Sequence, residues 1–178
     1  MTELRVVIVT SGRPQRLEDT LESIKQCHGA NLIQELVVAE NGHQQHAKAL
    51  VESYSCDLPM RYLYTSVPGK CRALNLALEV MPNDCLILFA DDDVKCSKNW
   101  IQQYADASQK HPECCFFGGP TTAKYECPPS EWLERHLPLS TTGMELEDFS
   151  DGPNATTSWA SIGRPIAATY ERLVCSMR

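Results

Sequence analysis

The chain has 178 residues, 43% hydrophobic and 22% charged, with 16 basic against 23 acidic side chains for a formal net charge of −7. That length suits one domain with a real core, and the composition is that of an ordinary globular protein rather than a disordered one. The acidic balance excludes broad nucleic-acid binding, which rests on phosphate-neutralising cations, but leaves room for one small phosphorylated ligand.

The first predicted element is RVVIV, Arg5 to Val9, a β-branched run of the kind buried on both faces of a parallel sheet. It ends at TSGRP. Beyond Pro14, a good first-turn residue, Leu17, Leu21, Ile24 and His28 recur at helical spacing, the histidine as a partly exposed packing residue. ELVVA is the second strand, closed by Glu40, Asn41 and Gly42; Ala47, Leu50, Val51 and Tyr54 then mark a helical face. RYLYT, Arg61 to Thr65, is the third strand, and SVPGKC leads into a helix burying Ala73, Leu74, Ala77, Leu78 and Met81. CLILFA is the fourth strand. Past Ser97 a helix turns Trp100, Ile101, Tyr104, Ala105 and Ser108 inward and stops at Pro112; CCFFGGP is a short apolar strand ending in a glycine pair. From TTAKYECPPSEWLERHLPLSTTG onward the periodicity weakens to loops around a short amphipathic turn at Trp132 and Leu133.

Strand and helix alternate through four strands, which implies right-handed crossovers and a mainly parallel α/β sheet. In such open sheets ligands bind beyond the carboxyl ends of the strands. Those ends carry Thr10 to Arg13, Glu40 to Gly42, Pro68 to Lys70 and the triplet Asp91, Asp92 and Asp93, all opening onto one edge. Adjacent carboxylates about 5 Å apart repel by roughly 3 kcal/mol at an effective dielectric of about 20, so cations or water must relieve them. In an extended segment Asp91 and Asp93 point to one face and Asp92 to the other, a geometry suited to Mg²⁺ or Mn²⁺ shared with substrate phosphates. The plainer reading of the triplet, a solvated acidic turn, loses ground because four such loops converge on one edge.

Several familiar sites are missing. No G-x-G-x-x-G follows the first strand, no G-x-x-x-x-G-K-[ST] exists, and no G-x-S-x-G elbow occurs. His43 and His46 form H-x-x-H without a third nearby ligand and read as a solvated helix start; Asn154 to Thr156 matches a glycosylation acceptor formally, by chance. The nine cysteines are odd in number and include no C-x-x-C pair, so they read as reduced thiols without a metal role, Cys27, Cys85 and Cys115 on apolar faces or strands. No apolar run approaches the roughly 20 residues of a membrane span, and the start MTELRVVIVTSGRPQ lacks a signal peptide's cleavage region, so a cytoplasmic location is expected.

Taken together, VVIVTSGRPQRLEDTLESI, ELVVAENG, PGKCRALNLAL and LILFADDDV, in this order and spacing, resemble the family 2 glycosyltransferases over most of Val6 to Gly119. The resemblance implies the GT-A, or nucleotide-diphospho-sugar transferase, fold: a three-layer α/β/α domain with a mainly parallel sheet. It implies a nucleotide-sugar-binding core over 1–120 and a partial acceptor-side region over 121–178, with an incomplete C-terminal half truncated or frame-altered after about residue 155. DGPNA, Asp151 to Ala155, still resembles the family's continuation, whereas the segment beyond it does not.

Residue by residue, the resemblance implies that Thr10, Gly12 and Arg13 embrace base and ribose and that Glu40 contacts the base. Lys70 and Arg72 approach the nucleotide, with Asn75 on their helix. Asp91 lies near ribose and metal, Asp93 on the metal and Asp92 in support at the nucleotide; Gly118 and Gly119 lie near the donor sugar. The implied activity is metal-dependent, inverting transfer from a nucleoside-diphosphate sugar, with a UDP-sugar expected, to an acceptor hydroxyl of a glycan, lipid or small molecule. Mn²⁺ or Mg²⁺ is the implied cofactor. The catalytic base has no assignment, since Glu145, Glu147, Asp148 and Asp151 offer no basis for choosing. Two alternatives remain open: a non-catalytic nucleotide-sugar-binding remnant, and a nucleotidyltransferase, whose usual Gly-rich basic loop is represented here by a single glycine in TSGRPQRL.

Overall fold

In the computed structural model, which describes residues 3–119, 121–122, 130–136, 143–144 and 159–162, the apolar runs bounded by Gly, Pro and polar loops form the sheet. The strands β1 (Glu3–Thr10), β2 (Ile33–Asn41), β3 (Met60–Thr65) and β4 (Cys85–Asp91) pair in parallel in the order β3-β2-β1-β4. The helices α1 (Pro14–Lys25), α2 (Lys48–Ser53) and α3 (Lys70–Leu78) connect them, and α4 (Trp100–Lys110) follows β4. Beyond lie β5 (Phe116–Gly118), β6 (Thr121–Thr122), α5 (Glu131–His136), β7 (Gly143–Met144) and β8 (Trp159–Ile162), with β6 and β7 forming a separate two-stranded pair.

Side-chain alternation along the strands explains the three layers. Val6 and Ile8, Leu36 and Val38, and Leu86 and Leu88 bury one face of the sheet against Leu17, Leu21 and Ile24 of α1, Val51 of α2 and Ile101 of α4. The intervening Val7, Val9, Val37, Ala39 and Ile87 bury the other face with Ala73 and Ala77 of α3. Small residues on α3 let that helix lie close to the sheet. Two-sided burial is why these strands read as continuous apolar runs.

Three details differ from the sequence expectation. The helix α1 ends at Lys25, so His28 lies in the turn beyond it, exposed, its Nδ1 2.9 Å from Asn99 Oδ1. Cys115 is exposed, unlike the buried Cys27 and Cys85. The strand β8 stands between β4 and β5, antiparallel to both, so β5 runs parallel to β4 one strand removed. Four residues pairing antiparallel within a parallel sheet carry too short a periodic signal to be seen in sequence.

Burial pushes the thiol of Cys85 up to about 11 and that of Cys96 up to about 12, from an ordinary 9.0. Groups with a raised folded pKa contribute fully below their unfolded pKa and lose that contribution as pH rises through the folded one. Denaturant melts from pH 8 to pH 12 should therefore show stability falling from about pH 9 upward, each thiol adding at most about 1.4 kcal/mol per pH unit. Replacing Cys85 and Cys96 together by alanine should flatten that fall; an unchanged slope would assign it elsewhere.

Candidate functional site

The carboxyl ends of β1 to β4 are bound together by side chains of the loops themselves. Asn41, buried at the end of β2, donates through Nδ2 to the Thr10 carbonyl at 3.0 Å and accepts the Gly69 N–H at Oδ1 at 2.9 Å. One amide thereby links the loops after β1, β2 and β3. Gly69 has φ +140, a backbone conformation closed to most side chains, and it immediately precedes α3. In sequence Asn41 is one of the strand-end residues Glu40 to Gly42, with no signal that would give it a role of its own.

The acidic triplet is relieved by protein cations. Asp92 is fully buried; it accepts the Thr10 hydroxyl at 2.6 Å, Arg13 Nε at 3.3 Å and a further bond from Arg13 Nη2. Asp93 accepts Arg13 Nη1 at 3.0 Å and has Arg16 Nη1 at 3.8 Å. Asp91 accepts Lys70 Nζ. The strand stops at Asp91 and the chain turns at Asp92 and Asp93. Simple alternation therefore fails: Asp92 and Asp93 share the Arg13 guanidinium, while Asp91 pairs with Lys70.

Three of the residues expected at the nucleotide, Thr10, Asp92 and Glu40, have protein partners of their own. The Thr10 hydroxyl and both Asp92 oxygens are committed to each other and to Arg13, with Thr10 2% and Asp92 0% exposed. They pin the β1 loop to the β4 turn. Glu40 is also 0% exposed. Its carboxylate accepts the His46 N–H at 2.8 Å, the Ala47 N–H at 3.1 Å and the Tyr62 hydroxyl at 2.5 Å. Burial and then the bond to Glu40 push the Tyr62 phenol well above its ordinary 10.0. Glu40 thus secures the loop before α2.

Other expected residues divide by position. Arg13, Lys70, Asp91 and Asp93 meet at the edge with their side chains 34% to 63% exposed, and Gly12, at φ +67, sits in the adjoining loop. Arg72 is exposed in the first turn of α3. Asn75 is exposed on α3, five residues beyond Lys70 and about 7.5 Å along the helix axis from it. Gly118 closes β5; its register with Trp159, and that of Trp159 with Phe89, places it two strands over from β4, roughly 10 Å away. Gly119 follows it. Glu145, Glu147, Asp148, Asp151 to Ala155 and the Asn154 acceptor lie outside the described residues.

A cavity of about 170 Å³ lies at the opposite edge, lined by Glu3, Asn31, Gln34, Ser108 and Gln109 among others. It is smaller than the roughly 300–1,000 Å³ of small-molecule sites and holds none of these charges. Among the described residues no group of three or more His, Cys, Asp or Glu side chains forms a ready metal cage. Two accessible carboxylates, Asp91 and Asp93, nevertheless match how Mg²⁺ is commonly held, by one or two carboxylates with substrate phosphates completing the shell.

The sequence model of Glycosyl transferase family 2 matches residues 5–170. The chain belongs to glycosyltransferase family 2. The family 2 match runs beyond Gly119, where the quoted motifs end, and through the region of β8. No curated protein sequence matches the chain. Among solved structures, this family 2 chain is similar to S. aureus TarS 1–349 in complex with UDP: 15% identity, TM-score 0.65, covering 97% of this chain and 49% of that one. It is similar also to the mannosyltransferase PcManGT from Pyrobaculum calidifontis, in complex with GDP-Man and Mn²⁺: 19% identity, TM-score 0.54, covering 69% and 36%. A third likeness is to 4-diphosphocytidyl-2C-methyl-D-erythritol synthase from Anaerococcus prevotii: 14% identity, TM-score 0.60, covering 98% and 77%. These likenesses establish the GT-A fold. The chain spans less than half the length of the TarS chains it matches.

Proposed function

We propose that this family 2 chain binds a nucleoside-diphosphate sugar, namely a UDP-sugar, and takes part in metal-dependent, inverting transfer to an acceptor hydroxyl. The observation that carries this reading is the acidic turn Asp91–Asp93 beside Lys70, Arg13 and Arg16 on the carboxyl edge. It lies where the connections from β1 and β4 diverge, the crevice in which open α/β sheets bind ligands. TarS in complex with UDP, and with UDP-GlcNAc, supports a uridine donor; the GDP-Man and Mn²⁺ complex of PcManGT supports a metal.

Asp91 and Asp93 would hold Mn²⁺ or Mg²⁺, which supplies Lewis-acid stabilisation of the departing diphosphate. Lys70, now on Asp91, and exposed Arg72 add positive charge for the same oxygens. Asp92 and Thr10 do not touch the donor; they keep Arg13 and the β1 loop in place. Gly118 and Gly119 leave space near the donor sugar. The acceptor, a glycan, lipid or small molecule, belongs to the side of residues 121–178, as does the base that takes its proton. Among the described residues no helix is long and apolar enough to cross a membrane, and we place the chain in the cytoplasm with its nucleotide-sugar supply.

Thermal melts with UDP, GDP and dTDP, each with Mn²⁺, test this reading. Saturating UDP at about 100 times its Kd should add roughly 2.7 kcal/mol, or about 5–10 °C. A folded sample stabilised by none of the three would refute it. Donor binding without hydrolysis or transfer would instead identify a binding remnant.

A further inference from the structure

Two buried features of the β2 end converge on a side chain that no expected role includes. Glu40 receives the backbone N–H groups of both His46 and Ala47, so its carboxylate dictates where residue 46 stands. The Tyr62 hydroxyl, 2.5 Å away, holds the carboxylate from β3. The consequence is visible at Gly12: a methyl group built there would lie 3.5 Å from His46 Cδ2. The imidazole therefore rests against the β1 loop, beside the residue that precedes Arg13. It is exposed, and neither ring nitrogen has a hydrogen-bond partner among the described residues. His46 thus presents an exposed ring from a backbone anchored on the Glu40 carboxylate, on a loop of the kind that carries function.

We propose that His46 is the residue that recognises the nucleobase of the donor, and that Glu40 is its positioning residue. This rests on the nucleotide-sugar reading above. The loops after β1 and β2 stand on the side of the edge away from β5, with the acidic turn on β4 between them and the glycine pair. A donor whose diphosphate lies at Asp91–Asp93 and whose sugar points toward Gly118 therefore directs its base toward Gly12 and His46. An imidazole offers a π-face for stacking and ring nitrogens for the polar edge of the base. Glu40 itself cannot reach a base, being fully buried. It acts through the loop.

The test separates base from diphosphate by using two probes, UDP and inorganic pyrophosphate, each titrated calorimetrically with Mn²⁺. His46→Ala should weaken UDP about tenfold, within the range alanine substitution shows for base stacking, and leave pyrophosphate unchanged. His46→Phe should recover most of the loss if stacking dominates. Glu40→Gln, which keeps an acceptor oxygen but weakens the anchor, should weaken UDP in the wild-type background and add little to His46→Ala, the non-additivity expected when one residue acts through another. A merely structural Glu40 would instead add its full effect in both backgrounds. If wild-type protein binds UDP and His46→Ala binds it equally well, the proposal is wrong while the nucleotide reading stands. If wild-type protein binds no nucleotide, both fall.

Discussion

The double variant Asp91→Asn, Asp93→Asn should keep its fold and lose Mn²⁺-dependent UDP binding by at least about 100-fold. Both side chains are accessible, 39% and 34% exposed, so the substitutions cut no buried network. Their ion pairs with Lys70 and Arg13 are surface pairs worth about 0–1 kcal/mol each. Removing two of three adjacent negative charges also relieves repulsion of roughly 3 kcal/mol per neighbouring pair before screening. Stability should therefore change little. Binding should not: charged carboxylates hold a hard divalent cation far more strongly than the neutral carbonyls that asparagine leaves. Calorimetry with and without Mn²⁺ reads the effect directly. An unchanged metal-dependent affinity would show that the turn is no metal site and that its carboxylates serve only Lys70, Arg13 and Arg16.

Glu40→Ala should be the most destabilising single change at this edge, about 3–5 kcal/mol. The substitution strands three donors at once: the Ala47 N–H on a residue 1% exposed, the Tyr62 hydroxyl and the His46 N–H. Each buried donor left without a partner costs about 1–3 kcal/mol, and the alanine leaves a void where a large side chain was fully enclosed. Tyr62→Phe removes one donor and should cost about 1 kcal/mol. Urea unfolding at pH 7 distinguishes these values. A loss under 1 kcal/mol for Glu40→Ala would mean that water replaces the carboxylate and that the residue stands closer to solvent than the structure has it. The prediction at Glu40 is independent of ligand, so it tests the geometry separately from the function.

The two variants divide the acidic residues of the edge by what surrounds them. Asp91 and Asp93 face outward beside flexible cations and are available to a ligand. Glu40 and Asp92 are enclosed, fully hydrogen-bonded and build the frame. In sequence all four are simply carboxylates at strand ends. Exposure separates them, and exposure is a property of the loops that fold over them.

The alternation of strand and helix through Ala90, the parallel sheet, the inward faces of α1 and α4 and the gathering of four loops on one edge were all legible in the sequence. They follow from local periodicity and from the strong preference of parallel strands for right-handed crossovers. The acidic triplet and its neighbouring cations were legible for the same reason, since strand ends of one sheet share an edge. What only the tertiary structure decided is how side chains pair across that edge. The Arg13 guanidinium gathers Asp92 and Asp93, Asn41 links three loops, and Glu40 turns inward to hold His46 against Gly12. The insertion of β8 between β4 and β5 belongs to the same class. The links from Arg13 and Asn41 join residues 28 to 80 positions apart, Glu40 reaches six residues on to set a contact with the β1 loop, and β8 adds only four residues, so these pairings leave no periodic trace; they are selected only when the assembled sheet leaves a buried carboxylate or amide with no other partner.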